Sequence, residues 1–293
     1  MHNTTLLLKS VCAVHLSALA FKDVCKTVPE VRLVIDEMSS LASVFHMSAR
    51  RTTDLQKTAA TNNLDVHRFP QSFEVRWAEF SARLLETVLG SWRALMAYAD
   101  SGAGNDFSKF HKYLTCRDNI KLICFLADLL FILTNLQKNY SDNLTIVDIE
   151  PELGHFTSKL QKLQDMPFII GGWEETLANA LAESDGNTLH GQQLWTKAKR
   201  TGPSNKYVTT NRDFSAIRND TIQSLMNFMA SRLKLGDDLQ SSSSSVSASE
   251  MTYIVSSGAL NSTHSRIGAF CNFTATSEDI RAVWKLFVPD VDL

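Results

Sequence analysis

The stretch that decides the fold is "IKLICFLADLLFIL", Ile120–Leu133. A helix drawn through it is apolar on every side, so other helices or lipid must cover it. Lipid is the weaker interpretation, because the run falls short of the roughly 20 residues that span a bilayer. It also contains Lys121 and Asp128, which lipid disfavours. The stretch therefore predicts the central helix of a helical bundle.

Helical periodicity continues on both sides of this segment. Apolar residues at steps of three and four predict one long amphipathic helix from Val31 to about Asn63, and a second helix from Trp77 to Ala99. Later segments predict three more helices: one with Pro151 in its first turn, a short one after Gly171-Gly172, and one over residues 213–233. The best strand candidate is "TYIV" at 252–255, and "PFII" at 167–170 is a weaker one. The predicted fold class is mainly α.

Composition and charge narrow the classes of function. With 293 residues, of which 44% are hydrophobic, the chain can bury a core without disulfide or metal staples. A formal charge of -2 provides no global attraction to phosphate backbones, so contact with nucleic acid must be local. The five cysteines are scattered and odd in number, which favours reduced thiols in a reducing compartment. Lys9 and His15 interrupt the N-terminal apolar run and argue against a secretory signal.

Motifs for catalysis, metal and cofactor binding are weak. The sequence shows neither a Gly-x-Ser-x-Gly elbow nor a phosphate-binding loop, and its carboxylate pairs, such as Glu174-Glu175, favour helix starts. Cys12 and His15 have the spacing of half a zinc site, but the nearby Cys25 and His46 complete no common pattern. A buried thiol beside a hydrogen-bonded histidine is the favoured interpretation. We therefore assign no catalytic residue, no metal ion and no cofactor.

Two aromatic–cation neighbours are candidate nucleic-acid contacts. Trp77 continues an apolar stripe, so helical geometry predicts a core tryptophan, with Arg76 about 100 degrees around the axis. Trp195 precedes "KAKR" at 197–200 and stands near Tyr207, a combination that can stack bases and hold phosphates. A solvated loop with a half-buried tryptophan is the commoner explanation of that second pattern.

Four segments, taken together and in order, resemble a known family. They are "VCAVHLSALAFKDV" (11–24), "FHMSARRTTDLQK" (45–57), "FEVRWAEF" (73–80) and "FLADLLFILTNLQKNYSDNLTIVDI" (125–149). They are similar to the Cys-x-x-His, Ser-x-Arg-Arg, Arg-Trp and Leu-Ala-Asp segments of hAT-type DNA transposases. Specifically, they resemble the domesticated, transposase-derived proteins of animals, whose catalytic part is a ribonuclease-H-like fold.

The resemblance implies a division of the chain and roles for particular residues. A remnant of the ribonuclease-H-like α/β core would occupy residues 1–26, and a helical bundle of the insertion-domain type residues 27–235. A Ser-rich flexible linker (236–250) and a C-terminal remnant with a short helix (251–293) would follow. Arg76 and Trp77 would be a DNA-binding pair, with the tryptophan stacking on a base. Cys12 and His15 would line what is left of the nuclease pocket.

The departures from the family decide the expected activity. Eleven residues, none of them acidic, precede Cys12, where the family has two catalytic aspartates, and the family's C-terminal Glu-Arg-x-Phe-Ser string does not occur. The resemblance therefore implies a truncated, catalytically inactive, transposase-derived protein of the nucleus, or alternatively the cytoplasm. Its inherited ligand would be hairpin or single-stranded DNA. The alternative is a protein-interaction scaffold without nucleic-acid affinity, which the slightly acidic charge supports; a membrane partner is expected for neither.

One stability expectation follows from the same departures. The N-terminal residues, from Met1 to about Lys26, should pack poorly, because the sheet that they would join is missing.

Overall fold

The computed structural model describes residues 7–10, 13–71, 77–102, 107–142, 149–196, 212–233 and 252–255. The chain divides into a helical unit, Ala13–Arg232, and a second unit formed by Met1–Cys12 with Leu233–Leu293. Helices make up most of the described residues, so the predicted mainly α class is confirmed.

Ten helices are described in chain order. They are α1 (Ala13–Thr27), α2 (Pro29–His46), α3 (Ala49–Thr61), α4 (Trp77–Gly90), α5 (Trp92–Asp100), α6 (Ser108–Leu114), α7 (Arg117–Asp142), α8 (Ile149–Asp165), α9 (Trp173–Ala182) and α10 (Phe214–Leu233). Four short strands accompany them: β1 (Leu7–Ser10), β2 (Thr188–Leu189), β3 (Gln192–Gln193) and β4 (Thr252–Val255). β2 and β3 form a small antiparallel hairpin after α9.

α7 is the central helix of the helical unit, as its apolar sequence predicts. It packs against α1, α2, α4, α6, α8 and α9. Leu126, Leu129, Leu130 and Leu133 are completely buried, so neighbours cover several sides of the helix. Phe131, on the same helix, is not covered in this way, because 55% of its surface is exposed.

By length and composition alone, α7 could also cross a membrane. The segment Arg117–Asn139 has a mean hydropathy of 1.7, and 78% of its apolar window is buried inside the protein. Core helices of soluble proteins pass the same test, so this property does not distinguish the two kinds of helix.

Two predictions of a single long helix are wrong, because each segment forms two helices. α2 ends at His46, and Ser48 caps α3 by accepting a hydrogen bond from the Arg51 N–H at 3.3 Å. Likewise α4 ends at Gly90, and Ser91 separates it from α5. The apolar period runs on across both breaks, so periodicity alone does not reveal them. The Ser48 hydroxyl caps α3, whereas the Ser91 hydroxyl makes no cap with α5 and accepts from the His67 N–H instead.

The expectation of poor packing near the N-terminus is wrong for α1. Phe21 and Val24 are fully buried, and the ring centroids of Phe21 and Trp77 are 5.3 Å apart. α1 packs on α2, α4 and α7, so helices rather than a sheet cover it. The predicted boundary between residues 26 and 27 falls at the last turn of this helix. Residues 1–6, 11 and 12 lie outside the described residues.

In the second unit, β1 and β4 pair in parallel with Leu7 opposite Thr252. The strand predicted for "TYIV" is confirmed as β4, whereas "PFII" forms bends and a turn that lead into α9. β1 was not predicted. The Ser-rich linker (236–250) lies outside the described residues, and so does the C-terminal remnant apart from β4. Two short strands do not establish a ribonuclease-H-like fold, so that remnant stays an expectation.

Candidate functional site

The candidate site is a groove of ≈ 1330 Å³ in the helical unit. Its lining comes from five parts of the chain: the end of α2 (His46 and Met47), residues 67–71, α4 between Arg83 and Gly90, Asp128 and Phe131 of α7, and residues 169–173. Residues 166–172 connect α8 to α9 and are called the wall loop below.

Exposed apolar side chains are concentrated in this groove. Of the five large hydrophobic residues that are exposed in the described part of the chain, three line it: Met47 (87%), Ile170 (79%) and Phe131 (55%). A fourth, Met166, begins the wall loop. Single exposed apolar residues need no explanation, whereas large apolar patches are a feature of surfaces that bind other molecules. The groove is the feature of the described residues that gathers most of them.

The floor of the groove contains an unusual helix cap. Asp128 accepts hydrogen bonds from the backbone N–H of Trp173 at 2.8 Å and of Glu174 at 3.0 Å, so a carboxylate of α7 caps the start of α9. The residue at the N-cap position, Gly172, has no side chain to do this itself. Burial raises the pKa of Asp128, although both N–H groups and the Arg218 guanidinium favour its charged form. The cap ties the end of the wall loop to the central helix.

A buried ion pair lies behind the same cap. The Nε atom of Arg218, on α10, is 3.4 Å from Glu174 Oε1, and both residues are buried. Arg218 also donates to the carbonyl oxygen of Met166 at 3.0 Å, and its guanidinium lies 5.3 Å from the centroid of the Phe125 ring. Burial raises the pKa of Glu174 to about 7, while Arg218 acts in the opposite direction. α10 thus contacts the start of the wall loop from behind the groove.

The charges on the groove are unequally paired. Burial raises the pKa of Glu86, while the charge of Arg83 acts to lower that pKa. The Arg83 guanidinium forms its ion pair with Glu79, at 2.6 Å. Asp128 is held by α9 and faces Arg218. Arg68 is exposed and has no ion pair within the part of the chain that the structure describes. Glu86 has no ion pair within that part of the chain either, but it is half-buried, so the exposed unpaired charge on the lining is the Arg68 cation.

The structure places the residues of the predicted DNA-binding pair only in part. Trp77 is the first residue of α4, it is partly buried against Phe21, and it does not line the groove. Arg76 lies outside the described residues. Packing of Trp77 into an apolar stripe agrees with the geometric prediction, and its partly exposed ring leaves room for a contact.

The structure describes only part of the predicted pocket remnant. His15 lies exposed on α1, and Cys12 is outside the described residues. Cys25 is buried, and burial raises the pKa of its thiol to about 12. His46 contacts the Pro70 carbonyl oxygen through Nε2 at 2.8 Å. Among the described residues, no group of three or more His, Cys, Asp and Glu side chains could hold a metal ion.

Trp195 forms a second aromatic–cation contact away from the groove. Its ring N–H donates to the Lys112 carbonyl oxygen at 2.9 Å, and the Lys112 ammonium lies 5.9 Å from the ring centroid. The residue is 37% exposed, as expected for a half-buried tryptophan at a loop. Residues 197–200 and Tyr207 lie outside the described part of the chain.

The groove is not evident from the sequence, although one residue signals part of it. Asp128 interrupts an otherwise apolar helix, and a buried carboxylate needs hydrogen-bond donors or a countercharge. That requirement predicts a partner element at α7, without identifying it as the start of α9. Comparison of the chain with models of known protein families, with curated proteins and with solved structures gives no match.

Proposed function

We propose that the protein is a non-catalytic helical binding module whose groove holds a segment of a partner protein. The observation that carries this proposal is the convergence of Met47, Phe131 and Ile170 on one groove, each more than half exposed. Helices with apolar residues at steps of three and four bind grooves of this kind by inserting those side chains. Methionines such as Met47 and Met166 adapt to differently shaped apolar partners.

The partner segment is amphipathic and carries a carboxylate. Its apolar side chains cover the groove floor, and its carboxylate meets Arg68, an exposed lining cation that has no ion pair among the described residues. A basic segment fits less well, because burial disfavours the charged form of Glu86, and Asp128 already accepts from two backbone N–H groups and faces Arg218. Charge complementarity of this kind sets specificity and association rate.

Selection from a random 12-residue peptide library displayed on phage tests the groove directly. The folded parent chain should enrich peptides that combine apolar residues at helical spacing with Asp or Glu. The double variant Phe131→Ser/Ile170→Ser should lose this enrichment while keeping its circular dichroism spectrum, because both side chains are exposed. Trp195→Ser removes an exposed large apolar residue elsewhere and serves as the matched control.

The outcomes separate the two parts of the proposal. If the parent and the double variant enrich the same peptides, or if neither enriches any, the groove is not a protein-binding site. If the Arg68→Glu variant enriches the same acidic peptides as the parent, the groove binds segments but their charge is not recognised. The expected result for Arg68→Glu is a shift towards Lys- and Arg-containing peptides.

DNA is the second candidate ligand, and it follows from the resemblance to hAT-type transposases. The feature that favours it is the incomplete burial of Trp77 at the start of α4, because an accessible tryptophan face can stack on an unpaired base. In this case the protein would act in the nucleus as a transposase-derived module without nuclease activity. Its contact with DNA would be local, since the chain has a formal charge of -2.

Titration of hairpin and single-stranded DNA at several salt concentrations tests this second candidate. Binding should weaken as salt rises, and Trp77→Ala should reduce it without loss of folding. Trp77→Phe keeps a smaller ring and should have an intermediate affinity. Equal affinity of all three proteins rejects the stacking role.

A further inference from the structure

We infer that Arg218 is a positioning residue for the groove: from α10, it fixes the wall loop (166–172) in the conformation that presents Ile170, so that docking of α10 and binding in the groove are coupled. The coupling to a ligand rests on the proposed function above. The positioning itself does not, and it can be measured on the free protein.

The wall loop is held at both ends by buried charged groups. At its start, the Arg218 guanidinium donates to the Met166 carbonyl oxygen at 3.0 Å. At its end, Asp128 accepts from the N–H groups of Trp173 and Glu174. Between the two ends, Ile169 and Ile170 line the groove. Two anchors thus determine where these apolar side chains lie.

The same arginine connects the two anchors. Arg218 pairs with Glu174, which is itself in the first turn of α9 behind the Asp128 cap. Asp128 of α7, Glu174 of α9 and Arg218 of α10 are the charged groups that face one another here. The Phe125 ring covers the Arg218 guanidinium. Because both members of the pair are buried, loss of the arginine leaves Glu174 without its countercharge. A rearrangement of α9 and the wall loop is the expected response.

Two other arginines show that holding α10 and holding the wall loop are separable tasks. Arg232, near the end of α10, pairs with Asp23 of α1, and Arg212, just before the helix, pairs with Glu30 of α2 at 3.5 Å. These contacts attach α10 to a different part of the helical unit. Of the three arginines, Arg218 is the one whose described contacts include the wall loop.

The consequence is reciprocal. A segment that binds the groove in its present shape stabilises the docked position of α10, and release of α10 weakens binding in the groove by the same factor. α10 therefore has a route to control the groove without lining it.

Hydrogen exchange of the full chain tests the inference. Four backbone amides report on the wall loop and its end: Met166, Gly171, Gly172 and Trp173. The Met166 N–H donates to the Lys162 carbonyl oxygen, and the Gly172 N–H donates to the Ile169 carbonyl oxygen. The Gly171 N–H donates to the Glu175 carboxylate, and the Trp173 N–H donates to the Asp128 carboxylate. In Arg218→Met their exchange should rise at least about tenfold, as expected for loss of a hydrogen bond to a charged group. In the matched control Arg232→Met, exchange should rise in the C-terminal half of α10 and stay at the parental rate in the wall loop.

Arg218→Lys is the second variant, and it also serves if Arg218→Met does not fold. Lysine keeps the countercharge for Glu174 but lacks the planar fork that serves Glu174 and Met166 together, so wall-loop exchange should be intermediate. Parental exchange of the wall loop in both Arg218 variants overturns the inference, as does an equal rise in Arg232→Met. Failure of peptide selection with an intact exchange result would reject the groove's function and leave the positioning role standing.

Discussion

Substitution of Gly172 by alanine should destabilise the protein through one steric contact. The glycine has φ -85 and ψ 175, which alanine adopts without strain, so the effect comes from the added methyl group alone. A Cβ atom at this position would lie 2.7 Å from Asp128 Oδ2 and 2.9 Å from its Cγ. The carboxylate must therefore move away from the N–H groups of Trp173 and Glu174 that it caps.

The expected loss has two parts. Removal of a helix cap costs about 0.5–2 kcal/mol, and forcing an atom into a packed site costs about 1–3 kcal/mol, so the free energy of unfolding should fall by about 2–4 kcal/mol. Urea or guanidinium unfolding measures this change. Gly154→Ala is the control, because a Cβ at this exposed position of α8 meets nothing within 4 Å. That variant should be more stable than the parent by about 0.5–1 kcal/mol.

The Asp128→Ala background supplies the refuting experiment. Without the carboxylate, Gly172→Ala should cost close to nothing, because the atoms with which it collides are gone. A similar cost in both backgrounds, or a cost below about 0.5 kcal/mol in the parent, would refute the argument that Asp128 occupies the space beside Gly172.

Three further changes are predicted. Ser48→Ala removes the α3 cap and should lower the free energy of unfolding by about 1 kcal/mol. Ser43→Ala, on the exposed side of α2, is the control and should change this free energy little. Chemical denaturation measures both variants. On α7, Phe125→Ala should cost about 3–5 kcal/mol and Phe131→Ala less than about 0.5 kcal/mol, because the first ring is fully buried and the second is exposed. The pKa of Glu174 is about 7 in the folded protein, against 4.5 ordinarily, so the folded state retains a proton that the unfolded state releases. The contribution of Glu174 to stability therefore falls as pH rises from 4.5 to about 7. The difference in unfolding free energy between the parent and Glu174→Gln should fall over the same pH range. A difference that does not change with pH contradicts this prediction.

The sequence predicted the elements whose signal is local. α7 was identified because an all-round apolar helix must lie in a core. The glycine pair before α9, the apolar spacing of α10 and the strand-forming residues of β4 lie within their own segments. The breaks at Ser48 and Ser91 were missed, because the apolar period is the same on both sides of each. At Ser48 the new helix start depends on a hydroxyl cap that periodicity does not encode, and no such cap marks the break at Ser91.

The groove could not be predicted, because its parts are distant along the chain. Phe131 is part of an apolar run and has the sequence signature of a core residue, yet its neighbours leave it exposed. Asp128 and the N–H of Trp173 are 45 positions apart, and no local pattern joins them. The roles of Arg76, Trp77, Cys12 and His15 stay predictions drawn from the resemblance.

The remote capping of α9 also bears on how the chain is assembled and rearranged. A helix of ten residues is marginal by itself in water, and this one lacks an acceptor of its own at the position before its first turn. Its start can become fixed only after the middle of α7 is in place, which makes α9 a late-forming element. A graft that transfers α9 without α7 has to provide a new carboxylate for the orphaned amides.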